Sequence, residues 1–257
     1  MEVHKHAQHV THKKKWGEYL LEFLMLFLAV FLGFVAENIR ERAVEHERSE
    51  QYAISLVQDL QNDTTAINVQ KRSAGVYVAI ADSLLQISKE KLEGRNAAAF
   101  SFYTRFMYWT VTLSWNRATF EQIKNSGSLR YFRNYKLLDK LMKYDALVNG
   151  IEGEFSNHQT RGNMLLGQIN GIIDPSIHLE LSKYMLLSTD TMTRETREQF
   201  FTAAVPSLEN KRDEIRAMLN MVVVQQRNLR YNNSRLLGAK ELATELITDL
   251  KKEYHID

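Results

Sequence analysis

The sequence predicts an all-α protein: one N-terminal transmembrane helix followed by an elongated antiparallel helical bundle with coiled-coil-like packing. Three observations carry this. Only two prolines and eleven glycines occur among 257 residues, a shortage that removes most of the turn punctuation an all-β or α/β chain needs. A strongly apolar run lies near the N-terminus. Three later stretches repeat apolar residues at alternating steps of four and three, the period of coiled-coil packing. The overall balance of 44% hydrophobic and 25% charged residues excludes wholesale disorder and a many-span transporter.

The apolar run comes first. Tyr19 to Ala36 reads YLLEFLMLFLAVFLGFVA with one charge, Glu22, whereas the mean hydropathy of the whole chain is only -0.35. About 20 apolar residues cross a hydrocarbon core of roughly 30 Å, and Trp16 and Gly17 bring the stretch to that length. A buried core helix would show a polar face, and residues 23–35 show none. A cleaved signal peptide fits poorly, because the run exceeds the usual length of about 7–15 residues and Phe34-Val35-Ala36 lacks the small-x-small cleavage pattern. An uncleaved signal anchor remains. Lys5, Lys13, Lys14 and Lys15 precede the span, while Arg40, Arg42 and Arg48 follow it among Glu37, Glu41, Glu45, Glu47 and Glu50. The positive-inside rule then places residues 1–15 in the cytoplasm as a basic, histidine-containing tail, 16–36 in the membrane, and 37–257 on its far side, outside the cytoplasm.

Within the span, Glu22 is a candidate by type, since ionisable residues inside membranes are rare and often functional. Its place near the cytoplasmic edge favours snorkelling or helix packing over an ion relay. Ala29 and Gly33 form a small-xxx-small step with Ala36 on a nearby face, which would let two copies approach closely.

Two blocks carry a family resemblance. Glu18 to Leu24 with Gly33 to Glu41, and Thr119 to Leu129 with Asn134 and Leu137, keep their order and rough spacing. Over residues 16 to ~150 the chain resembles a family of single-pass membrane proteins of Bacteroidota, known as a domain of unknown function. The resemblance implies membrane placement in a bacterial envelope, so that with the orientation above 16–36 would lie in the bacterial inner membrane and 37–257 in the periplasm, and it implies nothing about chemistry.

Beyond the span, helical period organises the chain. Steps of four and three from Ala53 pass through Val57, Leu60, Thr64, Ile67, Lys71, Ala74, Val78, Ala81, Leu85, Ser88 and Leu92. Were residues 37–93 one helix, it would reach about 85 Å as a stalk, with Gly75 a candidate break. A second stripe runs Leu137, Leu141, Tyr144, Val148, Ile151, Phe155, His158, Gly162, Leu165, Ile169 and Ile172, stopping at Asp174-Pro175. The third follows Pro206 with Ser207 as a cap and runs through Ile215, Leu219, Val222, Gln226, Leu229, Asn233, Leu236, Lys240, Ala243, Ile247 and Leu250. Antiparallel pairing of the first and third stripes sets Lys71 near Asn233 and Thr64 near Lys240. Such polar layers either fix register or line a ligand pocket.

Shorter pieces fill the gaps. Helices are expected at Thr119 to Asn125 with Gly127 as the C-cap, at Ile177 to Leu187 and at Thr193 to Phe201. In the aromatic stretch 97–115, Phe102, Phe106, Trp109 and Leu113 would share one helical face. Together with Trp115 these aromatics are either bundle core or a surface that docks another envelope protein.

Chemistry is sparse. The absence of cysteine removes disulfides, zinc-thiolate sites and cysteine nucleophiles. His4, His6, His9 and His12 have no aspartate or fixed spacing to complete a metal site, so a membrane-facing tail is preferred. His46, His178 and His255 are scattered, and His158 on its apolar stripe reads as a hydrogen-bonded core residue. No nucleotide-binding, hydrolase-elbow or metalloprotease motif is present, and a net charge of +2 with interleaved signs gives no nucleic-acid footprint. The expectation is a non-enzymatic scaffold or interaction module without cofactor or metal, partnered by the lipid bilayer and by a second copy or another envelope protein. The alternative is a ligand-sensing or regulatory bundle acting through a membrane partner.

Overall fold

The computed structural model describes residues 15–108, 113–181 and 192–256, and among these the regular structure is all helical. In chain order the helices are α1 (Trp16–Ile87), α2 (Gly94–Thr104), α3 (Ala118–Asn125), α4 (Tyr135–Ile172), α5 (Pro175–Leu181), α6 (Arg194–Phe201) and α7 (Arg212–Tyr254), with 3-10 turns at Ser128–Tyr131 and Glu209–Lys211. The chain divides into two compact units, Met1–Gln51 and Tyr52–Asp257, with residues of α1 in both.

In the first unit the described chain is helical from Trp16 on, and every residue from Tyr19 to Ala36 is exposed. Phe23, Phe27 and Phe31 stack along one side at ring-centroid separations of 6.3 and 6.1 Å, as four-residue spacing on a helix dictates. Among the described residues α1 is the one helix long and apolar enough to cross a membrane, and none of its apolar window is buried.

The second unit is the bundle. Gly75 does not break α1, which runs through it from Trp16 to Ile87. Ala53, Leu60, Ile67, Ala74 and Ala81, each seven residues from the next, are all buried. The companion column differs in part from the expected one: Val57 and Leu92 are buried as expected, but Leu56, Asp63, Tyr77 and Leu84 are buried too, with Gln70 half-buried, while Thr64, Lys71, Val78 and Leu85 lie half-buried at the flank. The same one-residue offset recurs on α7, where Met218, Gln225, Ala239 and Leu246 replace Leu219, Gln226, Lys240 and Ile247 in the heptad column, Gln226 being buried as well. Successive residues on a helix are about 100° apart, so a seven-residue column can take its partner from either neighbour, and packing selects the one carrying Tyr77 and Leu84. The expected Lys71/Asn233 and Thr64/Lys240 layers are therefore absent from the core. Lys240 instead donates to Asn68 Oδ1 at the surface, 2.8 Å away.

Helix α4 follows its expected stripe almost residue for residue, with Phe155 alone only half-buried. Asn134 caps its start by accepting from the backbone N–H groups of Lys136 and Leu137. At its end Lys211 donates to the carbonyls of Gly171 and Ile172, which supplies the cation a helix C-terminus favours. α7 runs antiparallel to α4, with Lys140 paired to Asp249, Arg235 to the Gly150 carbonyl and Lys211 to that of Gly171. It also runs antiparallel to the bundle part of α1, where Lys240 meets Asn68 and Gln226 meets Asp82.

Two corners close the bundle. Arg212 donates to the carbonyls of Ser88 and Glu90 just past the end of α1, and Glu209 accepts from the Leu92 N–H. Ser207 accepts from Glu209 N–H ahead of the 3-10 turn, and α7 starts only after Lys211 with no side-chain cap, so Ser207 does not cap that helix as expected. At the other corner Gly127 takes φ +70°, the left-handed conformation expected of it past α3.

The core is not continuous along the bundle. One apolar cluster gathers Tyr77, Leu84, Phe102, Leu165, Ile169 and Val222, and a second gathers Leu60, Ile67, Leu141, Val148, Leu236 and Leu246. Between them lie His158 of α4 and Gln225 and Gln226 of α7, all buried.

Candidate functional site

On the span, Glu22, Ala29, Gly33 and Ala36 follow at steps of seven, four and three, so they fall on one side of α1, away from the phenylalanine ladder. All four are exposed, and a Cβ added at Gly33 would meet no neighbouring atom.

The aromatic stretch divides. Phe102 and Phe106 are buried at 1% and 8% exposure, which corrects the docking-surface reading for both. Phe102 packs against the rings of Phe106, Phe200 and Phe201 at 5.3 to 5.4 Å, and that apolar enclosure is their reason for being inside. The shared helical face also fails. α2 ends at Thr104, and a tight turn in which Phe106 N–H donates to the Tyr103 carbonyl brings Phe106 back onto Phe102. Trp115 is half-buried with its ring edge-on to Tyr144 at 6.3 Å. Trp109 lies outside the described residues. Tyr77 fastens the turn to α1 by donating its hydroxyl to the Met107 carbonyl, and burial pushes that hydroxyl above its ordinary pKa.

The layer between the apolar clusters is built from heptad positions. Gln225 shares the α7 column of Met218, Ala239 and Leu246, with the half-buried Asn232 seven residues further on, and His158 shares the α4 column of Ile151 and Leu165. Arg161 fixes the hydrogen-bond directions. A guanidinium has no acceptor, so the atom 3.2 Å from Arg161 Nε is the Gln225 carbonyl oxygen Oε1. That oxygen also lies 3.3 Å from His158 Nδ1, so Nδ1 carries the proton. Nε2 of the neutral ring then accepts from Asn232 Nδ2. Three shielded atoms are left without a partner: Gln225 Nε2, Asn232 Oδ1 and Arg161 Nη2. Burial, with Arg161 adding to it, pulls the imidazole below its usual pKa, against the Gln225 hydrogen bond and Glu154.

A second polar group docks the start of α3. Asp63 on α1, 1% exposed, accepts from Asn116 N–H, from Asn116 Nδ2 and from the Tyr144 hydroxyl. Asp59, one turn earlier, accepts from Thr119 N–H. Arg117 reaches the other way, to Asp145, Glu121 and Glu152. Asp59, Asp63, Asn116, Arg117, Tyr144 and Asp145 line a cavity of about 30 Å³ with Leu60, Phe120 and Val148, room enough for a water molecule. Burial pushes the Asp63 carboxyl above the ordinary carboxylate value despite three donated hydrogen bonds. With every oxygen of Asp63 served, this group reads as a structural clamp.

Sequence reasoning singled out His158 and missed Arg161, Gln225, Asn232, Asp63 and Asn116. The available signal was the seven-residue spacing of Gln225 and Asn232, obscured by the offset column. Among the described residues no group of three histidine, aspartate or glutamate side chains converges to hold a metal ion. His4, His6, His9 and His12 lie outside the described residues, and His255 ends α7 in the left-handed conformation. Family models, curated proteins and solved structures offer no match to the chain.

Proposed function

We propose that the chain is a bitopic, membrane-anchored scaffold or protein-interaction module of the bacterial cell envelope. Residues 16–36 hold it in the inner membrane, the N-terminus is cytoplasmic and the bundle is periplasmic. The observation that carries this reading is the exposed apolar segment of α1, from which no side chain is withdrawn into a core. Such a surface is unfavourable in water and suits a bilayer. The lysines before the span support the orientation, and the resemblance to the Bacteroidota family points to the same compartment. Its partners are the lipid bilayer and a second copy or another envelope protein, and its work is binding, with no catalytic step.

An alkaline phosphatase fused after Asp257 tests the topology and is expected to be active in a bacterial host. An inactive phosphatase together with a fluorescent cytoplasmic reporter reverses the orientation. Capture from membranes in mild detergent tests the role, with a stoichiometric envelope protein or a second copy as the expected result. Loss of that partner on Gly33→Leu would locate the contact in the bilayer. The second reading, a ligand-sensing bundle, is favoured by the polar layer around His158, and a bound small molecule without a protein partner would decide for it.

A further inference from the structure

The layer between the two apolar clusters holds a charge with no counter-charge. Arg161 makes one hydrogen bond, from Nε to the neutral Gln225 amide, and no carboxylate lies within ion-pair distance of it among the described residues. Its Nη2 is shielded from solvent and unpartnered. Next to it, Gln225 is 1% exposed, and its Nε2 is equally shielded and unpartnered because Oε1 is committed to Arg161 and His158. A shielded donor without an acceptor is costly, and one on a cation more so. Two adjacent donors of this kind, one cationic, form an anion-coordinating pair.

We propose that Arg161 Nη2 and Gln225 Nε2 bind a small monovalent anion inside the bundle, a halide ion or the carboxylate of a small acid. Single charge follows from the donor set, because one guanidinium supplies one positive charge and the neighbouring imidazole, held below its usual pKa by burial, is neutral at pH 7.5. A phosphate dianion would need more donors and more charge than the layer offers. Small size follows from position. Leu165 and Ile169 on α4 and Val222 on α7 close the layer on one side, and Ile151 and Leu236 close it on the other. The bound anion would neutralise Arg161 where α4 meets α7, tightening their contact.

The test uses the full chain in mild detergent at pH 7.5, with thermal unfolding followed in sodium chloride, sodium formate and bulky sodium gluconate at equal ionic strength. A saturable rise in Tm on the order of 3 °C is expected in chloride or formate over gluconate. Chloride alone identifies a halide site, and formate alone a carboxylate site. Arg161→Gln is expected to abolish the rise. Equal Tm in all three salts, or an undiminished rise in Arg161→Gln, overturns the proposal. Should that variant fail to fold, anion line broadening on the unmodified protein decides. Saturable broadening of chloride-35, or of the formate proton line in the formate sample, supports the site, and broadening of neither beyond that in protein-free detergent overturns it.

Discussion

Tyr144 donates its hydroxyl to Asp63 Oδ2 over 2.7 Å, joining α4 to α1 inside the bundle. The same carboxylate holds the chain entering α3 through both nitrogens of Asn116. Tyr144→Phe removes one of three donors from a shielded charge and is expected to cost about 1–3 kcal/mol in urea unfolding. The loss should depend on pH. The Asp63 pKa is already raised by burial, and losing the hydroxyl raises it further. The difference between variant and parent is therefore largest at neutral pH and shrinks as pH falls through the folded-state value and Asp63 takes up a proton.

His158 sets a second pH dependence. Its folded-state pKa lies below the usual 6.5, so the unfolded chain binds the proton more readily. The stability due to the neutral ring is complete above the unfolded value and declines as pH falls from about 6.5 toward the folded one. Urea midpoints at pH 7.5 and 5.5 should fall less in His158→Gln than in the parent. An equal fall in both would remove His158 as the cause.

The fold was legible because each long helix declares itself by period and ends at recognisable chemistry, with Asn134 before α4, Asp174-Pro175 after it and Gly127 past α3. Which neighbour joins each seven-residue column was not legible. Val78 and Leu85 are as apolar as Tyr77 and Leu84, and only contacts with distant segments, such as the Tyr77 bond to Met107, choose between them. The polar layer was hidden for the same reason, since Gln225 and Asn232 occupy the column not expected to be core. Phe102 could be assigned to core or surface only by finding Phe200 and Phe201, about a hundred residues away, against its ring.

That choice of column can be measured. Leu84 is fully buried and Leu85 lies at the flank. Leu84→Ala is expected to cost about 2–5 kcal/mol as a cavity opens in the core, whereas Leu85→Ala should cost clearly less. Equal costs in chemical unfolding would restore the other column.

The corner between α1 and α2 depends on a charge from far along the chain. Glu209 accepts from Leu92 N–H while pairing with Arg212, which itself holds the Ser88 and Glu90 carbonyls. Replacing Arg212 with alanine frees these carbonyls together and leaves Glu209 without its hydrogen-bonded cation, only Lys91 remaining nearby. Hydrogen exchange at Leu92 should accelerate, with that of α4 amides such as Val148 unchanged. Uniform acceleration over the bundle would mean that the corner folds with the whole core and has no local role.

The membrane reading makes a prediction that a soluble helix would not share. Leu28 stands near the middle of the exposed apolar segment, 43% exposed and touching no core. In water, an arginine there would be well solvated and would leave the bundle and its solubility intact. At the centre of a bilayer-spanning helix the same residue disfavours insertion by about 3–4 kcal/mol relative to an apolar one. Leu28→Arg is therefore expected to move a substantial share of the protein from the carbonate-resistant membrane pellet to the soluble fraction, or to lower its accumulation. Glu45→Arg, on the charged stretch after the span, should change neither. If both variants partition as the parent does, the segment is not held in hydrocarbon, and its exposed apolar side chains must be covered by protein instead.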